Sequence, residues 1–170
     1  MAVGSLGTYF LVILANNNQA DQAAKQQAEI AKLQQQLKCD PVSPPSGKTY
    51  AKPPAQPFDK NAVTQLKTED VAKGSGPAIS SGDACVTVHY LGNLADGTVF
   101  DNSYDRSQPI AIKLSQVIGG WQQGLQGMQA GGVRKLYIPA DLAYGASGSP
   151  PVIGPNQPLY FYIELIGFSQ

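Results

Sequence analysis

Apolar and polar positions alternate along much of the chain beyond Lys60. In Cys85-Val86-Thr87-Val88-His89-Tyr90 an extended backbone would put Val86, Val88 and Tyr90 on one face. The closing run Leu159-Tyr160-Phe161-Tyr162-Ile163-Glu164-Leu165 gathers Leu159, Phe161, Ile163 and Leu165 in the same way. Two more strands are predicted. One is Arg134 to Pro139, introduced by a Gly131-Gly132 turn; the other is Pro109 to Leu114, with proline at the start, where a missing donor is tolerated. Asp96-Gly97, between Leu94 and Val99, is a hairpin signal. Only one window here has helical periodicity: Ile118, Trp121, Leu125 and Met128 predict a helix over about Val117 to Met128. Several antiparallel strands and one amphipathic helix predict an α+β domain over residues 60–170. Its curved antiparallel sheet, a half-barrel, would wrap around the helix and leave a hollow at the helix start, close to Trp121.

The chain before Lys60 is patterned differently. Residues 1–15 carry the uncharged apolar run Tyr9-Phe10-Leu11-Val12-Ile13-Leu14. As a helix this stretch is about 20 Å long, short of the roughly 30 Å of a bilayer core. A membrane anchor is the expectation; a cleaved signal peptide and a docking terminus are the alternatives. Residues 16–39, rich in glutamine and alanine, predict an N-terminal helical stalk. The stripe Ile30, Leu33, Leu37 is too short for a sustained coiled coil, which favours a solvated stalk over an oligomerising one. Residues 40–59 hold six of the chain's 13 prolines, so they read as a semi-rigid extended linker separating the domain from the N-terminus.

Charge adds little. Twelve basic residues balance 12 acidic ones, and the lysines before Lys60 are spread singly, so no nucleic-acid partner is expected. Cys85 opens an apolar strand and reads as a small buried residue; pairing with Cys39, or with a second chain, stays open. One histidine and two distant cysteines offer no metal-ligand spacing, and no motif calls for a cofactor.

Three motifs carry the candidate chemistry: Asp96-Gly97-Thr98-Val99-Phe100-Asp101, Val117-Ile118-Gly119-Gly120-Trp121, and Ala143-Tyr144-Gly145-Ala146-Ser147-Gly148. They offer aromatic walls, an aliphatic shelf and a few polar groups, and no nucleophile with its base. Ser147 and Ser149 lack nucleophile-elbow spacing and a partnering histidine. Asp101 and Asp105 could suggest paired carboxylates, but Arg106 nearby makes Asp101 better read as a hydrogen-bonded corner. Such an inventory suits a site that bends its substrate.

In these motifs the chain resembles the FKBP-type peptidyl-prolyl isomerases, over roughly Lys60 to Gln170. The resemblance implies an enzyme that accelerates Xaa-Pro rotation in protein substrates through an aromatic pocket. The alternative is a proline-binding module with little turnover. It implies Tyr90, Phe100, Asp101, Trp121, Tyr144 and Phe161 as the catalytic set, with Trp121 as floor and the Tyr144 hydroxyl facing a substrate carbonyl. Arg106, Ile110, Val117, Ile118, Val152 and Ile153 would bind substrate, Arg106 by pairing with Asp101. Ile110 stands where many members carry phenylalanine, and Ser149 where histidine is frequent, so weak macrolide binding is implied. Partners would be proline-containing polypeptides. With an anchored N-terminus the domain would lie on the extracytoplasmic side of a membrane; a secreted or cytoplasmic protein is the alternative.

Overall fold

The structure, a computed structural model, describes residues 21–30, 39–44, 46 and 48–170. The chain divides into two compact units, Met1–Lys38 and Cys39–Gln170. In the first, residues 21–30 form helix α1 with every residue exposed, as alanine- and glutamine-rich sequence allows. The apolar run before Ala15, and Leu33 and Leu37 of the stripe, lie outside the described residues, while Ile30 is exposed. No described helix is long and apolar enough to cross a membrane.

The second unit is built on antiparallel strands: β1 (Lys67–Ala72), β2 (Ser75–Ala78), β3 (Cys85–Asn93), β4 (Val99–Asn102), β5 (Ile110–Lys113), β6 (Gln129–Ala130), β7 (Val133–Ile138) and β8 (Leu159–Ser169). Six make one sheet in the order β1-β7-β8-β3-β4, with β5 also paired to β3, and β2 pairs with β6. The α+β class with an antiparallel sheet is therefore as the sequence predicts. Asp96-Gly97 does turn the β3–β4 hairpin, where Gly97 adopts a φ of 89° and its N–H donates to the Leu94 carbonyl at 2.9 Å. β1 escaped the sequence reading because it is exposed at every position, an edge strand with no apolar alternation to read.

Helix α2 (Gly119–Gly124) is much shorter than the predicted span of Val117 to Met128. Leu125 and Met128 are buried as its periodicity requires, but the chain has left the helix by then. Gly124 closes the helix against β7, where an added Cβ would sit 2.7 Å from Leu136 Cδ2, and Gly127 follows with a φ of 75°. Close approach of helix and sheet has set the glycines, and the glycines end the helix. Around α2 the core gathers Val86, Val88, Leu114, Leu125, Leu136, Ile138, Leu159, Ile163 and Leu165.

The proline-rich segment departs furthest from expectation. It is extended, but it does not stand clear of the domain. The described residues between 39 and 58 form a strap along β3. Cys39 is disulfide-bonded to Cys85, so neither thiol is free. The Val42 N–H donates to Thr87 Oγ1 at 2.9 Å, and the Tyr50 ring lies 4.7 Å from that of His89. Asn93 bonds Gln56 through both its N–H and its carbonyl, at 3.1 and 3.0 Å, and the Phe58 N–H reaches the Ala95 carbonyl at 2.9 Å. Every residue of β3 is consequently buried, including Thr87, His89 and Asn93 on the face that alternation leaves polar. Proline suits such a strap, since it supplies stiffness and has no N–H that would demand an acceptor from a strand partner.

Burial under the strap pushes the His89 pKa down against an upward pull from Glu164. A histidine held neutral in the folded state binds fewer protons than in the unfolded chain, so stability is lost as pH falls from the ordinary histidine range (~6.5) through the depressed folded value. Urea unfolding midpoints should therefore drop between about pH 7.5 and pH 5.5, and His89→Gln should flatten that slope. Reduction of the Cys39–Cys85 bond, which closes a loop of sequence separation 46, should cost roughly 2–4 kcal/mol, read as a lower thermal midpoint.

Candidate active site

A hollow of about 290 Å³ opens between α2, the inner face of the sheet and the segment that carries Tyr144. Alternation on β3 delivers Tyr90, and β4 delivers Phe100 and Asp101. Val117 and Ile118 precede α2, which contributes Trp121 from its first turn; β8 adds Phe161. Tyr90, Phe100, Asp101, Ile110, Val117, Ile118, Trp121, Tyr144 and Phe161 thus all line one hollow. Two lining residues were missed, Ile112 and Gln116. Ile112 was legible, because it shares a strand face with Ile110. Gln116 carried no signal, since an exposed glutamine in a short 3-10 turn resembles any loop residue.

The aromatic walls meet edge to face. Trp121 stands 5.6 Å from Tyr90 at 78° and 5.3 Å from Phe161 at 89°, and Phe100 meets Phe161 at 5.6 Å and 84°. Rings packed this way satisfy one another's quadrupoles and hold fixed positions. Trp121 is only 4 % exposed, so what it offers a ligand is one ring face at the bottom of the hollow. Gly92 makes the wall possible: a Cβ there would fall 2.6 Å from Phe100 Cζ and 2.8 Å from Phe161 Cε1.

The polar groups concentrate at one corner. The Tyr90 hydroxyl donates to Asp101 Oδ2 and accepts from Arg106 Nη2 at 2.9 Å, while Arg106 Nη1 donates to Asp101 Oδ1 at 2.9 Å. Burial and the Asp101 hydrogen bond push the Tyr90 pKa up to about 12, and the contacts with Asp101 and Tyr90 raise that of Arg106. The hydroxyl is thus a neutral donor and the corner a closed triangle of hydrogen bonds. Arg106 is exposed and is not among the residues that line the hollow. Tyr144 is different: it is 41 % exposed on the rim, and its hydroxyl bonds no described residue.

Besides Arg106, two sequence-predicted substrate contacts, Val152 and Ile153, are not among the residues that line the hollow. Ser149 and Ile153 exchange backbone hydrogen bonds at 2.8 and 3.0 Å. That bridge turns the Ile153 side chain into the core at 5 % exposure and leaves Val152 outside, 52 % exposed. The described residues contain no group of histidines, cysteines or carboxylates able to hold a metal.

Residues 76–166 match the FKBP_C family, described as FKBP-type peptidyl-prolyl cis-trans isomerase. The chain is 45% identical over 102 residues to the peptidyl-prolyl cis-trans isomerase Mip of Coxiella burnetii, an alignment that takes in 60% of the chain and 43% of that relative. It is 48% identical over 103 residues to the FK506-binding protein of Neisseria meningitidis serogroup B, covering 59% of the chain and 94% of the relative. Among solved structures, a peptidyl-prolyl cis-trans isomerase of Pseudomonas syringae superposes with a TM-score of 0.57 at 39% identity, over 71% of the chain and 84% of its own.

Gly92→Ala should collapse the Phe100–Phe161 contact. Overpacking of this kind costs about 1–3 kcal/mol, so a melting curve should show a lower midpoint. A proline-containing peptide should then no longer change Trp121 emission.

Proposed function

The chain belongs to the FKBP-type peptidyl-prolyl cis-trans isomerase family, and from that membership we propose that it accelerates Xaa-Pro rotation in polypeptide substrates. The observation that carries this reading is the convergence of Tyr90, Phe100, Trp121 and Phe161 on one hollow, beside a Tyr144 hydroxyl that bonds no described residue.

Rotation about an Xaa-Pro bond crosses roughly 18–20 kcal/mol, because the planar amide must give up its resonance. At the twisted geometry nitrogen and carbonyl no longer share electrons, so the group is less polar than in its planar form. An apolar hollow therefore disfavours the planar ground state more than the twisted one. The proline ring fits over the Trp121 face, the preceding residue leans on Val117 and Ile118, and the Tyr144 hydroxyl donates to a substrate carbonyl. Stabilising the twisted state by about 6 kcal/mol would turn a minute-long flip into milliseconds. No proton changes hands in this step, which accords with a Tyr90 hydroxyl that stays protonated.

FK506-type macrolides are the second ligand class we propose, since the name of the meningococcal relative records FK506 binding. Ile110 in place of an aromatic edge supports weaker affinity. We propose further that the domain works in an oxidising, extracytoplasmic compartment. The Cys39–Cys85 bond supports this, because such bonds persist where thiols are not kept reduced. The apolar run ahead of Ala15 supports tethering to a membrane.

A protease-coupled assay on an Xaa-Pro peptide tests the activity, and a chain that accelerates nothing removes it. Tyr144→Phe should lower kcat/KM about fivefold, the worth of one hydrogen bond. Trp121→Leu should lower it by about an order of magnitude or more. For the compartment, chain taken from cells into an alkylating agent without reductant should carry no label on Cys39 or Cys85; labelled thiols would overturn the location.

A further inference from the structure

We propose that the strap of residues 39–58 is a positioning element for the reaction, with Lys52 its working residue, acting through Asp105 to set Arg106 and with it the Tyr90–Asp101 corner. The inference rests on the isomerase reading above.

Ser103 ties the turn between β4 and β5 to the Tyr90 backbone, and among the described contacts Arg106 ties it to the Tyr90 hydroxyl and the Asp101 carboxylate. That turn is organised at its preceding residue. Lys52 Nζ donates to both oxygens of Asp105 at 2.8 Å. The same carboxylate accepts from Asn102 Nδ2 at 2.8 Å, and the Asp105 N–H returns a bond to Asn102 Oδ1 at 2.9 Å. One residue beyond Arg106 the backbone enters the left-handed region, with Ser107 at a φ of 53°. A turn so constrained has one favoured conformation, and the strap supplies one of its ties from outside.

The strap can transmit position because it is fastened at both ends of β3. The Cys39–Cys85 bond holds one end. At the other, Asn93, which is fully buried, grips Gln56 through two bonds and also donates to the Leu94 carbonyl at 2.8 Å. Pro57 lies against Gly97 in the β3–β4 hairpin that presents Phe100 and Asp101. Lys52 lies between these anchor points, so its reach to Asp105 is set by the sheet. An exposed ion pair adds little to stability, yet a small displacement of a catalytic wall can cost far more in rate. That difference separates positioning from simple stabilisation.

The test uses the full, oxidised chain and four variants: Lys52→Ala, Lys52→Arg, Asp105→Asn and the Lys52→Ala/Asp105→Asn double. Lys52→Ala should lower kcat/KM on an Xaa-Pro peptide about fivefold while its thermal midpoint stays within about 2 °C of the parent. Asp105→Asn should do the same. The double variant should lose no more than either single, because both cut one connection. Lys52→Arg should restore the rate, and the Arg106 side-chain N–H resonance should move in the alanine variant and return in the arginine one. Parent-like kcat/KM and an unmoved Arg106 resonance in Lys52→Ala would overturn the proposal, as would additive losses in the double variant. A parent chain with no isomerase activity would defeat the reading of the reaction instead. The Arg106 resonance, with peptide affinity read from Trp121 emission, would then still decide whether the strap sets the corner.

Discussion

β3 is buried along its whole length on both faces, and most of the molecule can be understood as the means of keeping it so. A central strand gains its ladder bonds from neighbours on both sides, here β8 on one edge and β4 and β5 on the other. Its faces still need cover. On the inner face Val86, Val88 and Tyr90 pack into the core around α2. On the outer face Thr87, His89 and Asn93 are polar, and water is kept from them by a strap that brings its own hydrogen-bond partners. A buried polar row without those partners would be costly; with them it becomes a set of anchor points.

Function follows from the inner face. Tyr90 belongs at once to the core and to the wall of the hollow, and its hydroxyl ends in the triangle with Asp101 and Arg106. The site is therefore the rim of the core, made of the same interlocked rings, and it gains rigidity without any dedicated framework. A reaction that needs shape and low polarity would be well served by that economy, since the rings that line the hollow are immobilised by packing among themselves.

The outer face gives the domain a second dependence. Segments that look like spacers by composition need not be spacers. Proline discourages helix and strand alike, yet an extended chain with free carbonyls can still lie on a sheet whose side chains offer amides, hydroxyls and rings. Here Asn93 mimics a strand partner by bonding both backbone groups of Gln56, and the Tyr50 and Tyr104 rings flank His89 at 4.7 and 5.1 Å. The boundary of the folded unit consequently falls at Cys39, well ahead of the first strand.

The amino-acid sequence alone determined the antiparallel sheet and the hairpin at Asp96-Gly97, and, through the resemblance its motifs carry to the FKBP-type isomerases, the aromatic set around Trp121. These rest on local rules: the two-residue period of a strand, the φ demanded of a turn glycine, and motifs whose residues are neighbours in the chain. Tertiary structure alone decided that α2 stops at Gly124, that Ile153 enters the core, that Gln116 reaches the hollow, and that Cys39 bonds Cys85. Each depends on what a residue meets from a distant part of the chain: Leu136 against a helix glycine, Ser149 across a loop, β3 beneath a proline strap. Composition and spacing carry no record of such meetings, because they arise only once the sheet has closed around the helix.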